Sequence, residues 1–420
     1  MDSFDDVIVG GGPAGLSAIQ SIREVDRKAS LLWISDEPYL PYSKVLLPYL
    51  LSGKIKEANL MLIDQQGLEN LGVTLWTKSP VLSLDVGKKS LEVKKGKEVA
   101  FNKLLIASGA SPVFPKIPGI KTKGVFGLRT LNDVRQMTQG VGKKDKVVIW
   151  GGGLVGTQAA NALYLRGIRS SLLVSSPHIL SQILDSETAK VVQKKIGKQG
   201  PTLYLKEDIT EIQSKDGRIS SVVLKSGKKL KTNLLIVGKG VKPNIDFLMG
   251  SKIGLDRGVL VDQRMTTNIP DIYAAGDVAV DIDLLSGKRS HVAIWPKAID
   301  EGRVAGRNMA GEEMIYPGTL SMNITTIFGM TIAVVGNTRS TNSKQETLIF
   351  RGKKVYRKIF LRDNQIMGLV FIGNYFDAGV LSNFIRSRIP FDRIGKKYKG
   401  EPIRFNQIYE EIMSELGLEA

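Results

Sequence analysis

The stretch Gly10-Gly11-Gly12-Pro13-Ala14-Gly15 has the spacing Gly-x-Gly-x-x-Gly, and it decides the predicted fold of this chain. An apolar run at residues 7–9 precedes it and predicts a short buried strand, and a helix is predicted from Pro13 to about Arg23. In such a motif the first glycine allows a tight turn, the second lets the backbone approach a pyrophosphate, and the third lets helix and strand pack closely. The order of strand, glycine loop and helix therefore predicts a dinucleotide-binding unit.

Two acidic residues follow predicted strands of this unit. The apolar run at residues 31–34 ends shortly before Asp36, whose carboxylate is placed to accept hydrogen bonds from an adenosine ribose. Further along, Ala275-Gly276-Asp277 ends another predicted strand with a carboxylate that can accept bonds from polyol hydroxyls beside a pyrophosphate, or can cap a helix. A glycine-rich turn without a ligand is the alternative interpretation, but the strand, the helix and the acid together favour nucleotide binding.

The same arrangement occurs a second time. Gly151-Gly152-Gly153-Leu154-Val155-Gly156 follows the apolar run at residues 147–150 and precedes a predicted helix that ends at about Arg166. Between the two motifs, residues 72–106 show the short alternating strands of a β-meander. The chain therefore contains two Rossmann-type units, each with its own glycine loop.

The second unit lacks an acid after its second predicted strand. Ser175 stands at that position, followed by Ser176 and His178, and Arg169 is near in the sequence. An acid there favours NADH because it repels the 2′-phosphate of NADPH. Its absence favours NADPH slightly over NADH, although a serine also bonds to a free 2′-hydroxyl.

Composition restricts the chemistry. The chain has 420 residues, enough for two or three domains, and it contains no cysteine and only two histidines, His178 and His291. Disulfides, thiolate nucleophiles and cysteine-bound iron–sulfur clusters are therefore excluded, and no metal site is expected. Redox chemistry in this chain would depend on a bound organic cofactor.

The ends and the apolar segments predict a cytoplasmic location. The N-terminus is acidic and lacks the basic region of a signal peptide. No apolar window reaches the length of about 18 residues that indicates a membrane span. We therefore expect neither a signal peptide nor a membrane-spanning helix.

The formal net charge of +18 leaves three interpretations open. A lysine-rich solvated surface is the simplest, and a partner with an acidic face, such as a small electron carrier, is the second. Nucleic acid is the third, but the lysines are scattered in pairs beside turns and no RNA-binding aromatic motif accompanies them. Nucleic-acid binding is therefore not expected. A homodimer is a separate alternative for the partner.

Together these motifs resemble the superfamily of pyridine nucleotide–disulfide oxidoreductases, and most closely its cysteine-free branch of ferredoxin and rubredoxin reductases and the flavin module of nitrite reductases. The general resemblance depends on the two glycine loops, on Ala107-Ser108-Gly109, on the residues from Gly238 to Asn244, and on Ala275-Gly276-Asp277. The closer one depends on Asp36-Glu37-Pro38, Leu128-Arg129-Thr130-Leu131, Trp295-Pro296 and Gly302-Arg303-Val304-Ala305-Gly306.

The resemblance implies an α/β fold with two Rossmann-like three-layer dinucleotide-binding domains and a C-terminal α+β interface domain. The implied boundaries are 1–113 with 245–315 for the FAD-binding domain, 114–244 for the NAD(P)-binding domain, and 316–420 for the interface domain with a helical tail. The implied FAD contacts are Gly10, Gly12, Pro13, Ala14, Gly15, Asp36, Glu37, Lys44, Val81, Ala107, Ser108, Gly109, Gly276, Asp277 and Trp295. The implied contacts to NADH or NADPH are Gly151, Gly153, Leu154, Val155, Gly156, Ser175, Ser176, His178 and Gly238.

The sequence departs from this family beside the flavin. Val45 stands where related disulfide reductases carry a redox cysteine, which excludes thiol–disulfide chemistry. Tyr49 and Gln158 stand where ferredoxin-reductase-like members carry a lysine and a glutamate, so a neutral pair replaces a charged one. Tyr49, Gln158 and Trp295 are the candidate catalytic residues that would line the flavin.

The expected function is that of an FAD-dependent NAD(P)H oxidoreductase. Hydride transfer from the nicotinamide to FAD needs alignment and exclusion of water, but no acid or base side chain. Electrons would then leave for a small redox protein of the ferredoxin or rubredoxin type, or for a partner subunit. Two alternatives stay open: a peroxide-forming NAD(P)H oxidase or quinone reductase, and a basic nucleic-acid-binding flavoprotein of the apoptosis-inducing-factor type.

Overall fold

The first glycine motif lies between a buried strand and a helix, as predicted. The computed structural model describes residues 1–339 and 346–392 of the chain. Pro13 begins the first helix, where a missing backbone N–H costs nothing. The elements of this segment are β1 (Asp2–Val9), α1 (Pro13–Val25), β2 (Leu31–Ile34), α2 (Leu47–Leu51), α3 (Gln65–Asn70), β3 (Val73–Trp76), β4 (Val81–Asp85), β5 (Ser90–Val93), β6 (Lys97–Ile106) and β7 (Ala110–Pro112).

The strands β1 to β6 belong to a seven-stranded sheet whose centre is parallel, whereas β7 lies outside this sheet. Its order is β3-β2-β1-β6, and β5 and β4 continue it from β6 as an antiparallel meander. The sequence pattern had predicted a meander from residue 72 onward, but β3 pairs with β2 in parallel instead, on the far side of β1. The buried residues of β2 explain the parallel arrangement, because strands of parallel sheets are covered on both faces.

A second parallel sheet follows in the chain. Its five strands have the order β11-β10-β9-β15-β8, and the antiparallel meander β12-β13-β14 lies against one face. Trp150, Leu173 and Ile212 are buried between the sheet and the meander, whereas the other face is covered by helices. The elements are β8 (Val125–Gly127), α4 (Leu131–Gly140), β9 (Lys146–Trp150), α5 (Leu154–Leu165), β10 (Arg169–Val174), α6 (Ser186–Gln199), β11 (Thr202–Leu205), β12 (Ile209–Lys215), β13 (Arg218–Leu224), β14 (Lys229–Lys231), β15 (Leu234–Val237) and β16 (Val241–Pro243).

The chain then returns to the first sheet. The next elements are β17 (Val259–Leu260), β18 (Ile272–Ala274), β19 (Ala279–Ile282), β20 (Arg289–Ser290) and α7 (Trp295–Met309). β18 pairs in parallel with β6, and α7 packs on α1. A Cβ atom on Gly302 would lie 2.3 Å from the carbonyl oxygen of Ala14, and one on Gly306 would lie 2.4 Å from that of Ala18. These two glycines therefore let the helices approach closely.

The last described segment is an antiparallel sheet covered by a helix. Its strands have the order β21-β22-β25-β24-β23, and α8 packs on β22 and β25. The elements are β21 (Met322–Ile327), β22 (Met330–Gly336), β23 (Glu346–Arg351), β24 (Tyr356–Arg362), β25 (Gln365–Ile372) and α8 (Ala378–Arg386). The predicted helical tail beyond residue 392 lies outside the described residues. The expected α/β fold class is confirmed, and the exact domain boundaries stay predictions.

Candidate functional site

In the first glycine loop, two glycines are required because other backbone atoms lie too close for a side chain, and the third faces open space. Gly10 has φ +121°, and a Cβ there would lie 2.0 Å from the carbonyl oxygen of Ala107. A Cβ on Gly15 would lie 2.8 Å from the carbonyl oxygen of Gly10, which also accepts the indole N–H of Trp33 at 2.8 Å. A Cβ on Gly12, at the N-terminus of α1, would meet no atom within 4 Å. The open edge at Gly12 leaves room for a ligand.

The second glycine loop repeats this geometry. Gly151 has φ +131°, and its Cβ would lie 2.1 Å from the carbonyl oxygen of Gly238, while a Cβ on Gly156 would lie 1.8 Å from that of Gly151. Gly153, at the N-terminus of α5, has nothing within 4 Å of its Cβ position. Backbone N–H groups at a helix N-terminus favour anions such as a pyrophosphate. Both loops therefore fit a dinucleotide.

The residues flanking these loops lie at the same helix starts. Pro13 and Ala14 are in the first turn of α1, and Leu154 and Val155 are in the first turn of α5. Val155 is 39% exposed, whereas Ala14 is buried against Gly276 and Gly302. The two helix starts thus differ, because α7 covers the first and leaves the second accessible.

The predicted ribose-binding region beyond β2 is partly occupied by its own ion pair. Asp36 is exposed just past the end of β2. Glu37 accepts hydrogen bonds from Lys44 Nζ at 2.5 Å and from Tyr42 Oη at 2.6 Å, so the predicted contacts Glu37 and Lys44 bind each other. The pKa of Tyr42 is raised far above its usual range by burial and by this bond to Glu37. Asp36 is therefore the carboxylate of this region that faces solvent.

Asp277 is paired with an arginine that the site prediction did not include. Asp277 Oδ2 lies 2.7 Å from Arg129 Nη2, and Arg129 Nε donates to the carbonyl oxygen of Ala110 at 3.0 Å. His291 Nε2 donates to the carbonyl oxygen of Asp277 at 2.7 Å. Arg129 belongs to the Leu128-Arg129-Thr130-Leu131 motif that carried the resemblance, and this motif was the signal that could have identified it.

Two chain segments cross between the sheets beside this pair. β7 and β16 pair antiparallel, and Asn244 N donates to the carbonyl oxygen of Gly109 at 2.9 Å. Ser108 Oγ donates to the carbonyl oxygen of Asn244 at 2.8 Å, and Asn244 Nδ2 donates to the carbonyl oxygen of Ser108 at 2.8 Å. Ala107, which closes on Gly10, immediately precedes this crossing. The Ser108 hydroxyl therefore stabilises the crossing of the two chain segments.

A buried charge cluster lies behind the Gly276–Val278 turn. Glu301 Oε2 accepts the backbone N–H of Gly276 at 2.7 Å. Lys297 Nζ lies 3.5 Å from carboxylate oxygens of both Glu301 and Asp281, and it donates to the carbonyl oxygen of Ala279 at 2.9 Å. Burial raises the pKa of Glu301 to about 8 and also raises the pKa of Asp281, although the Lys297 charge opposes both shifts.

Tyr49 and Gln158 line the same pocket, as their predicted roles require. The pocket lies between α2, α5 and β21, and Gln158 Nε2 donates to Thr325 Oγ1 of β21 at 3.0 Å. Trp295 is not among the residues that line this pocket, and it is the first residue of α7, which packs on the Gly276–Val278 turn. Val81 is the first residue of β4 and packs against the core of the first sheet. The pocket residues are Pro48, Tyr49, Ser52, Lys54, Gln158, Asn161, Leu165 and Thr326.

The predicted residues after β10 are used largely by the loop itself. Ser176 Oγ donates to the carbonyl oxygen of His178 at 2.7 Å, and His178 Nδ1 donates to that of Ile179 at 3.0 Å. Arg169 begins β10, whereas Ser175 follows its end, so the length of the strand places them about 20 Å apart. Arg169 was expected near Ser175, but the two residues lie at opposite ends of β10.

Ser175 has two charged neighbours that the sequence analysis missed. Its hydroxyl donates to Asp208 Oδ2 at 3.0 Å and accepts from Lys239 Nζ at 2.6 Å. Asp208 lies just past β11 and Lys239 just past β15, two strands of the same parallel sheet as β10. Examining the carboxyl ends of all the strands, instead of the second strand alone, could have found both residues.

Comparison with known proteins agrees with this construction. Residues 4–302 match the family model described as pyridine nucleotide-disulphide oxidoreductase. The chain belongs to this family. It is therefore an oxidoreductase, and because it contains no cysteine it works without a redox-active disulfide. This membership supports FAD and a nicotinamide dinucleotide as the cofactors.

Three similar proteins show how the family members differ in length. The epsilon subunit of an NADH-dependent phenylglyoxylate dehydrogenase from Aromatoleum evansii is 30% identical and aligns over 97% of both chains. An assimilatory nitrate reductase electron transfer subunit from Bacillus subtilis is 26% identical over 97% of this chain, which spans only 52% of that protein. The crystal structure of an NADH:rubredoxin oxidoreductase from Clostridium acetobutylicum superposes with a TM-score of 0.78 at 26% identity, covering 94% of this chain and 98% of the other.

Within residues 1–339 and 346–392, no helix combines the length and apolar character needed to cross a membrane.

Proposed function

We propose that this oxidoreductase takes electrons from a nicotinamide nucleotide held at the Gly151–Gly156 loop and passes them, by way of FAD held at the Gly10–Gly15 loop, to a partner protein. The observation that carries the proposal is the repeated loop geometry. In both loops the outer glycines are required by backbone contacts, and the middle glycine, Gly12 or Gly153, leaves an open edge at a helix N-terminus.

The residues around the first loop would divide the binding of FAD between them. Asp36 would accept from the adenosine ribose, and Asp277, oriented by Arg129 and His291, would accept from the polyol beside the pyrophosphate. When bound, FAD supplies the capacity to accept a hydride and to release electrons to a different acceptor. The crossing formed by β7 and β16 would hold the two sites in a fixed relation.

Tyr49 and Gln158 would border the reacting ring system. Their pocket joins α2 of the first segment to α5 of the nucleotide unit, and Gln158 is held by Thr325 of the last sheet. Neither residue is of an acidic or basic type, so the two side chains would exclude water and align the two ring systems without placing an ion pair beside them. Trp295 would cover the flavin from the N-terminus of α7.

The partner is proposed to be a subunit or a small carrier with an acidic surface. Two of the similar proteins are described as a dehydrogenase subunit and as an electron transfer subunit, and a third acts on rubredoxin. The chain has 59 basic and 41 acidic residues, which favours an acidic partner through long-range attraction. Homodimer formation and a cytoplasmic location stay predictions of the sequence.

The preference between the two nicotinamide nucleotides is the finer part of the proposal. The slight preference for NADPH was inferred from the neutral Ser175. The Asp208 carboxylate lies 3.0 Å from the Ser175 hydroxyl, however, and its negative charge opposes a 2′-phosphate at this position.

An anaerobic titration of the purified protein tests the proposed function. Bleaching of a flavin spectrum by NADH or NADPH, followed by recovery of the spectrum on addition of an oxidised ferredoxin or rubredoxin, is the expected result. Reoxidation by oxygen alone, with stoichiometric peroxide and no response to either carrier, would favour the oxidase alternative. A bound flavin that neither nucleotide reduces would refute the proposal.

A further inference from the structure

The second unit has no acidic residue directly after β10, but the Asp208 carboxylate from a different strand end lies beside that position. Asp208 reaches Ser175 from the turn after the neighbouring strand β11, and Lys239 reaches it from the end of β15. We propose that Asp208, paired with Lys239, recognises the 2′ position of the adenosine ribose of the nicotinamide nucleotide and selects NADH over NADPH. This inference rests on the proposed function, because it assumes that a nicotinamide nucleotide binds the second unit.

Asp208 is held in place by three donors in addition to Ser175. Its Oδ1 accepts the indole N–H of Trp150 and the backbone N–H of Ile209 at 3.1 Å, and Lys239 Nζ lies 3.1 and 3.2 Å from its two oxygens. Partial burial raises the pKa of Asp208, but the bonds from Lys239 and Trp150 outweigh this effect and hold the pKa below its usual range. The carboxylate is therefore charged, fixed in orientation and still 38% exposed.

The location of the pair is the one where an adenosine ribose is expected. Ser175 directly follows β10, the second strand of the unit, and ligands of such folds lie beyond the carboxyl ends of the strands. Trp150, which donates to Asp208, is the last residue of β9 and directly precedes the glycine loop. The pair thus adjoins both the loop that would hold the pyrophosphate and the strand end that would contact the ribose.

The charges of the pair favour a hydroxyl over a phosphate. Lys239 is already neutralised by Asp208, and its ammonium lies over the Trp150 ring at 5.0 Å from the centroid. A 2′-hydroxyl can donate to the exposed Asp208 carboxylate in exchange for the Ser175 hydroxyl, which leaves the charges of Asp208 and Lys239 matched. A 2′-phosphate, which has roughly two negative charges, would be repelled by the Asp208 carboxylate. The two neighbours on the same turn, Lys206 and Glu207, have opposite charges.

Binding of adenosine nucleotides tests the pair without catalysis. Isothermal titration of the FAD-loaded protein with 5′-AMP and with adenosine 2′,5′-bisphosphate compares a free 2′-hydroxyl with a 2′-phosphate. We expect the unmodified protein to bind 5′-AMP more tightly than adenosine 2′,5′-bisphosphate. In Asp208→Asn, which removes the repelling charge and frees Lys239, affinity for the bisphosphate should rise about tenfold, while affinity for 5′-AMP changes by less than about threefold.

Two further variants identify the residues responsible. Asp246→Asn is a matched control, because Asp246 forms an exposed ion pair with Lys242 at the same distance of 3.1 Å, and it should leave the affinity ratio unchanged. Adding Lys239→Met to Asp208→Asn should remove the gain, since the freed ammonium is then absent. If Asp208→Asn alters folding, Lys239→Met alone serves instead and should weaken bisphosphate binding further.

Clear results would overturn the inference. Tighter binding of the bisphosphate than of 5′-AMP by the unmodified protein would show that the site prefers NADPH, as Ser175 alone suggested. An unchanged ratio in Asp208→Asn and in Lys239→Met would show that the pair does not recognise the ribose. Failure of both nucleotides to reduce the flavin would refute the proposed function instead, while discrimination between the two adenosine probes would still support the subsite.

Discussion

Glu301 accepts the backbone N–H of Gly276 at 2.7 Å, and its side chain is fully shielded from solvent. Glu301 of α7 thus holds in place the Gly276–Val278 turn, which contains Asp277. Because Lys297 is the single cation beside two carboxylates in this cluster, burial favours keeping a proton on Glu301.

This proton predicts a pH dependence of stability. The folded-state pKa of Glu301 is about 8, above the ordinary value of 4.5, so between these values the folded chain holds a proton that the unfolded chain has released. Stability due to this group therefore falls as pH rises from about 5 to 8, by at most about 1.4 kcal/mol per pH unit. Glu301→Gln keeps an acceptor for Gly276 and should flatten the dependence. Melting temperatures from pH 5 to 8.5 check this, with Asp300→Asn on the same helix as control; parallel curves for Glu301→Gln and the unmodified protein would contradict it.

The open edge of the second glycine loop predicts a selective defect. Gly153→Ala introduces a methyl group that meets no protein atom within 4 Å, so the fold and the FAD content should be retained while KM for the nicotinamide nucleotide rises. Gly197→Ala, in the last turn of α6, is the matched control and should leave KM unchanged, because its methyl group also meets no atom within 4 Å. Equal loss of FAD and of nucleotide binding in Gly153→Ala would show that the two loops do not divide the work.

The Arg129–Asp277 pair predicts a defect in FAD binding that spares nucleotide binding to the second unit. Removing a charged hydrogen-bond partner costs about 1.5–3 kcal/mol, which corresponds to a roughly ten- to hundredfold loss of affinity. Asp277→Ala and Arg129→Met should therefore raise the Kd for FAD by this factor and lower the FAD content of the purified protein, and they should leave binding of 5′-AMP to the second unit intact. Arg303→Met breaks the exposed Arg303–Asp300 pair and serves as the control. Full FAD occupancy in both site variants would argue against the assigned role.

Lys358 predicts an effect on the contact between the second sheet and the last one. Its ammonium lies 2.6 Å from Asp185 Oδ2 and 2.9 Å from Glu187 Oε2, at the start of α6. The pKa of Asp185 is lowered because the bonds from Lys358 and Thr188 outweigh partial burial, so the stability it contributes is lost as pH falls through its folded-state pKa. Lys358→Met should lower the melting temperature at pH 7 and reduce the difference between pH 7 and pH 4. Lys353→Met, an exposed substitution in the turn before the same strand, should change neither value.

The basic composition predicts a salt-dependent reaction with the partner. If an acidic ferredoxin or rubredoxin is the acceptor, kcat/KM for the carrier should fall steeply between about 0.01 and 0.3 M salt, because the Debye length shrinks from about 30 to below 8 Å. Reduction of the flavin by the nicotinamide nucleotide, measured in the same buffers, should change much less. A carrier reaction that is insensitive to salt would exclude electrostatic attraction as its basis.

The glycine loops could be predicted from sequence because their requirements are local. Gly10 and Gly151 need a left-handed backbone conformation, and Gly15 and Gly156 must admit a carbonyl oxygen from a few residues away. Asp208 and Lys239 could not be predicted in the same way. They belong together because strand order places the ends of β11, β10, β9 and β15 along one edge, and that order is a property of the whole sheet.

The hydrogen-bond partners of the candidate side chains could not be predicted from the sequence either. Glu37, Lys44 and Ser108 have the residue types of ligand contacts, but in the structure they bond to each other or to the backbone of the crossing segments. Lys297 and Glu301 have the spacing of an ordinary surface ion pair on a helix, and only packing of α7 under the turn buries them. Each case depends on contacts between residues distant in the chain, which no local pattern encodes.

The return of β18 to β6 fixes the order of events during synthesis. The second sheet, with its glycine loop, is complete when residue 243 has emerged from the ribosome, whereas the first sheet still lacks β18, α7 and Asp277. A nascent chain can therefore assemble the second unit before the unit that precedes it in sequence. If FAD binds the first glycine loop as proposed, its loading would wait until Asp277 and α7, which ends at Met309, have been translated.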